Sequence, residues 1–210
     1  MILFFVEEDV DPVDASKQFH DLELAKLSQK DAIFVQIPYN PDRTPSLSDG
    51  SPIPTSKLLS PNPSRDYNIT SYPTFLVCDH FGNEYVRHTK VPAPSAINKD
   101  ITALKDHADA KNKLLQKNLD AAKAALEKKD TRKFFSAVLK NFKEGVIGLE
   151  AQNESIKVYR ELVDKTREEI NEILETKPTD AEKRLKALSK DFKDTEVEAD
   201  IKDALEIIKG

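Results

Sequence analysis

The pattern of apolar and polar residues changes near Pro94. Before it, apolar residues come in short unbroken runs, ILFFV at 2–6 and AIFVQI at 32–37, each bounded by polar segments. Runs of that kind predict strands buried on both faces. Between them ASKQFHDLELAKLSQ spaces Phe19, Leu22, Leu24 and Leu27 at roughly helical intervals, which completes a βαβ unit with a right-handed crossover. Residues 40–64 hold six prolines among serines and read as a surface loop with one short helical candidate, SKLL at 56–59. TFLVCD and EYVRH then flank the turn HFGN and predict an antiparallel hairpin.

Beyond Pro94 proline nearly vanishes and helix formers dominate. Ile101, Leu104, Ala108, Leu115, Leu119, Ala122 and Leu126 advance by threes and fours with one gap at Lys111, predicting a single long helix over about 95–129. The rhythm returns at Leu149, Ile156, Tyr159, Val163, Thr166, Ile170 and Ile173, and Pro178, read as a helix start, separates that helix from two shorter ones. A weak internal repeat pairs AVLKNFKEGVIGLEA (137–151) with ALSKDFKDTEVEADI (187–201), laying Phe142-Lys143-Glu144 on Phe192-Lys193-Asp194. Each copy predicts a helix, a short break and another helix, so that neighbouring hairpins bury each other's apolar stripes. The expected organisation is an α/β domain over 1–110 and an all-α domain of helical hairpins or a bundle over 111–210.

With 39% hydrophobic and 33% charged residues, the 210-residue chain is long enough for two real cores. No apolar run is long enough to span a bilayer, so no membrane insertion is expected, and the opening MILFFV lacks the features of a secretory signal. Residues 1–94 carry 8 basic and 13 acidic side chains and residues 95–210 carry 24 of each, so the first part holds the whole net charge of −5. Nucleic acid is therefore not an expected partner. The scattered His20, His80, His88 and His107 and the lone Cys78 match no metal-site spacing, and neither a metal nor a cofactor is expected. Asn68-Ile69-Thr70 fits the glycosylation sequon, a triplet that also arises by chance.

YNITSYPTFLV at 67–77 resembles the thioredoxin pattern of a tyrosine, an apolar step, then Ile-Pro-Thr and a buried strand. With the strand order and the opening turn, the resemblance covers about residues 1–110. It implies a thioredoxin-like fold (βαβ followed by ββα) with Pro73, between Tyr72 and Thr74, as the family's cis-proline. The family's Cys-Gly-Pro-Cys then falls on Val10-Asp11-Pro12-Val13, where valine replaces both sulfurs. Disulfide exchange needs one thiolate to attack and a second thiol to resolve the mixed disulfide. Asp9 stands where an aromatic residue usually precedes the motif, and the buried proton-transferring acid falls on Phe4. AEKRLKALSKDFKDTEVEADIKDALEII, in turn, is similar to tetratricopeptide-type helical hairpins, by pattern alone.

The resemblance implies a redox-inactive domain whose peptide-binding groove, lined by Val10, Asp11, Pro12, Val13, Tyr72 and Pro73 with Asp9 and Asp11 at its rim, is either kept for binding or a vestigial site that the two valines seal. The expected role is a protein- or peptide-binding or scaffolding module, not an enzyme. Three alternatives stay open. Asp11, Pro12 and Asp14 are equally the N-cap and first turn of a helix. Cys78 reads as a packing residue, yet it is also the one thiol on which an enzyme of this fold, with His80 nearby in sequence, could be built. The α/β domain could also be a structural cap on a helical array. A trimmed leader would fit a bacterial periplasmic or secreted protein, and the single cysteine fits the cytoplasm equally well.

Overall fold

The computed structural model describes residues 1–7, 32–45, 51–193 and 195–209. Strands β1 (Ile2–Val6), β2 (Phe34–Pro38), β3 (Thr74–Cys78) and β4 (Glu84–His88) form one mixed sheet in the order β2-β1-β3-β4. β1 runs parallel to β2 and antiparallel to β3, and β4 returns antiparallel to β3 with a register shift at Val77/Cys78.

The unbroken apolar run of β1 follows from burial on both faces. Leu3 and Phe5 join Tyr67, Ile69, Leu76 and Cys78 on one face, while Ile2, Phe4 and Val6 join Phe75, Val77 and Ile97 on the other. Phe4 stacks on Phe75 with ring centroids 4.3 Å apart. Fully burying side chains of this size contributes about 1.5–3 kcal/mol each, which makes β1 the strand on which both cores depend.

The helix expected over 15–29, the valine-aspartate-proline-valine turn before it and His20 lie outside the described residues. SKLL is a turn closed by Ser60 N donating to Lys57 O at 3.3 Å, where Leu58 points into the core and Leu59 is exposed. The short helix of this loop, α1 (Pro63–Asp66), comes later, because Asn62 caps it through Arg65 N at 3.0 Å and Pro63 supplies the fixed φ of a first helical residue.

Five longer helices follow: α2 (Pro94–Glu127), α3 (Thr131–Lys143), α4 (Glu150–Thr176), α5 (Ala181–Asp191) and α6 (Val197–Lys209). Two compact units result, Met1–Ser46 with Thr55–Lys111, and Leu47–Pro54 with Asn112–Gly210. The gap at Lys111 in the apolar rhythm of α2 falls where the helix passes from one unit to the other. Ile97 is buried with the sheet, and Leu115, Leu119 and Ala122 are buried in the second unit. In that unit α4 packs against α3, α5 and α6. Phe135 touches Phe192 at 4.9 Å and Tyr159 at 5.7 Å, so an aromatic cluster joins three of these helical segments. Ile53, from the proline-rich loop, packs on the same core.

Pro178 lies in the connection rather than at a helix start. α4 ends on Lys177 in the left-handed conformation at φ 44°, and α5 begins at Ala181. Among the described residues no helix is long and apolar enough to cross a membrane.

Candidate functional site

The chain brings Glu7, Tyr39 and Tyr72 to one end of the sheet, because β1 and β2 are parallel and finish there while β3 starts there. The Tyr72–Pro73 peptide bond is cis. Tyr72 is 43% exposed, its hydroxyl donates to Glu7 Oε1 at 3.0 Å, and its ring lies 5.4 Å from that of Tyr39. The Glu7 carboxylate accepting that hydrogen bond raises the Tyr72 pKa above its ordinary value, because the bond favours the protonated phenol. After Pro73, Thr74 turns its hydroxyl back to Ser71 O at 2.6 Å and closes the loop on itself.

Arg43 holds this end together. Its guanidinium donates to Ser64 O at 3.1 Å, to Ile69 O, and to Tyr39 Oη at 3.0 Å, and lies 5.6 Å from the centre of the Tyr39 ring. One planar fork with five donors thus ties residues 39–45 to the segment leading into Tyr72. Two aromatic rings, a carboxylate and a guanidinium converge beside a solvent-exposed loop. Such a set can grip a peptide by stacking and hydrogen bonding.

Of the residues expected at the groove, Tyr72 and Pro73 are placed here. Val10, Asp11, Pro12 and Val13, with Asp9, lie outside the described residues. Tyr39 and Arg43 had no signal in the sequence beyond sitting among prolines, and Glu7 had only its place after the first apolar run.

Cys78 is not part of this constellation. It ends β3, five residues from Pro73 and so roughly 16 Å along the strand. The thiol is fully buried, and burial pushes its pKa up to about 12, with Glu84 adding to the rise. Such a thiol stays protonated at neutral pH and is a poor nucleophile. Beside it, Asp79 organises the β3–β4 turn: Oδ1 accepts from Phe81 N at 2.9 Å and Asn83 N at 3.0 Å, and Oδ2 from Asn83 Nδ2 at 2.8 Å and Tyr85 Oη at 3.1 Å. A carboxylate with that many donors is structural. Among the described residues no three of His, Cys, Asp and Glu are grouped to hold a metal ion.

No family model, curated protein or solved structure matches the chain.

Proposed function

We propose that this chain is a redox-inactive thioredoxin-like module followed by a helical domain of tetratricopeptide-like hairpins or a plain bundle, and that it binds protein or peptide segments as a scaffold. The observation that carries the reading is the exposed Tyr72 ring, bonded to Glu7 and 5.4 Å from the Tyr39 ring, at the end of the sheet where the parallel strands finish. In open α/β sheets ligands sit outside the carboxyl ends of the strands. The mixed order β2-β1-β3-β4, with one parallel pair and an antiparallel hairpin, supports an α/β domain for this part of the chain.

An extended segment laid beside Pro73 gains main-chain hydrogen bonds in the manner of strand addition. Tyr72 and Tyr39 offer flat apolar faces, and Glu7 offers a charge for a basic or amide-bearing side chain of the ligand. Valine at 10 and 13 leaves no thiol for disulfide exchange. The competing reading, an enzyme built on Cys78, is disfavoured by a buried, protonated thiol at the far end of β3.

Two experiments test the proposal. On an array of extended peptides, wild-type protein should retain a subset rich in Lys or Arg, and Tyr72→Ala should lose it with an unchanged melting curve. A variant that only melts earlier, with no peptide bound by either protein, supports a structural cap instead. Independently, Val10→Cys with Val13→Cys should form an intramolecular disulfide if that turn has thioredoxin geometry, since the motif's Cα separation suits the bond. A pair that stays reduced under oxidant removes the family reading.

A further inference from the structure

Helices α3 and α5 enclose a surface groove of about 650 Å³ whose rim is almost wholly cationic. Lys140 and Lys143 line it from α3, Lys190 from the last turn of α5, Lys193 from just past the end of that helix, and Arg132 from the first turn of α3. Its floor includes Phe135 and Leu139. Among the described residues of the lining Asp191 is the one acid, and Arg132 already engages it at 3.3 Å.

The four lysines belong to the internal repeat. The pairing that lays Phe142 on Phe192 also lays Lys140 on Lys190 and Lys143 on Lys193, so a Lys-x-Phe-Lys step occurs twice. Both phenylalanines are buried in one core, and all four lysines open on one groove.

A solvated, dipole-complementing face explains part of this. Lys140, Lys143 and Lys190 lie in the last turns of their helices, where cations are favoured. It does not explain Arg132, which sits at the opposite end of α3, where the dipole disfavours a cation. Arg132 is turned into the groove by donating to Lys190 O at 3.1 Å. Nor does it explain why two helix ends converge their charge on one concave surface, which raises repulsion and focuses the field.

We infer that this groove is a docking surface for an acidic peptide segment of a partner protein, one that carries carboxylates on both sides of an apolar side chain. The carboxylates meet the repeated lysines, and the apolar side chain lies over the half-buried Leu139. A long phosphate backbone fits less well, because it offers no apolar group to meet Leu139 in the lining. This surface involves none of the residues around Pro73, so it stands or falls apart from the reading given above.

The test uses the full chain and a fluorescein-labelled peptide of glutamates around a central leucine, followed by anisotropy, with a single-stranded oligonucleotide of equal charge as the second probe. The peptide should bind, weaken as salt is raised, and lose at least about tenfold in affinity with Lys140→Glu/Lys190→Glu. Lys140→Gln/Lys190→Gln should lose less, and Tyr72→Ala nothing. All the substituted lysines are exposed, and an unchanged melting curve checks the fold. Absence of binding, binding indifferent to the charge reversal, or tighter binding of the oligonucleotide than of the peptide overturns the inference.

Discussion

Tyr72 Oη and Glu7 Oε1 meet at 3.0 Å, so the residue before cis Pro73 is held by the residue that follows β1. The pair is distant in sequence, and its consequence is read in proton binding. The Glu7 bond raises the Tyr72 pKa above the ordinary 10.0, which means the contribution of the pair is fully present below that value and is lost as pH rises through the folded value. Glu7→Gln should bring the Tyr72 transition down toward the ordinary tyrosine range in a tyrosinate absorbance titration, with Tyr72→Phe identifying which transition is Tyr72. An unmoved transition would mean the two side chains do not meet in solution.

Cys78 should behave as a buried thiol. Its pKa stands near 12 in the folded chain against an ordinary 9.0, so its stabilising contribution is complete below about pH 9 and disappears between that value and about 12. Denaturation midpoints measured across this window should fall more steeply for wild type than for Cys78→Ala, the difference isolating the thiol from the tyrosines that titrate nearby. Alkylating reagents should label Cys78 only after unfolding. Cys78→Ser should lose about 1–3 kcal/mol for a buried hydroxyl among Leu3, Phe5 and Leu76.

Gly82 is required by both its conformation and its surroundings. At φ +84° it sits in the left-handed region, and a Cβ there would stand 2.9 Å from Tyr67 Oη and 3.1 Å from Leu58 Cβ. The same Tyr67 hydroxyl donates to Gly82 O at 2.6 Å, buried. Gly82→Ala should cost about 2–4 kcal/mol in a chemical denaturation experiment, and Tyr67→Phe about 1–3 kcal/mol for the carbonyl left without its donor. A neutral Gly82→Ala would show that the turn between β3 and β4 is free to change shape.

What could be read from the sequence was periodic, and what could not was singular. ILFFV and TFLVC announce themselves because both faces of β1 and β3 are covered. The stripes of α2 and α4 announce themselves because a 3.6-residue period repeats over many turns. SKLL misled because two leucines and a lysine look helical, while only Leu58 has a core to enter and the helix waits for the Asn62 cap. Ile53 docks on helices whose residues lie some eighty or more positions later, and no local pattern encodes that. The same holds at the candidate site. Pro73 was legible through its tyrosine and threonine neighbours, but Arg43 acts through three single contacts to Tyr39, Ser64 and Ile69, and single contacts leave no period.

In the second unit one buried amide bonds to two neighbouring helices. Asn141 is fully buried on α3. Its Nδ2 donates to Leu115 O at 2.9 Å and to Ser155 Oγ at 2.8 Å, its Oδ1 accepts from Asn118 Nδ2 at 2.9 Å, and its carbonyl accepts from Gln152 Nε2 at 3.3 Å. The side chain therefore links α2, α3 and α4 in a dry interior, where each orphaned polar group costs about 1–3 kcal/mol. Asn141→Ala leaves Leu115 O, Asn118 and Ser155 each one partner short, which predicts a loss of about 1–3 kcal/mol. Asn141→Leu fills the volume yet leaves the same groups short, so it should rescue little, whereas Phe142→Leu, a purely apolar change in the next residue, should cost less. Urea denaturation of the three variants ranks them. If Asn141→Leu equals wild type, the network is dispensable and apolar packing alone joins these helices.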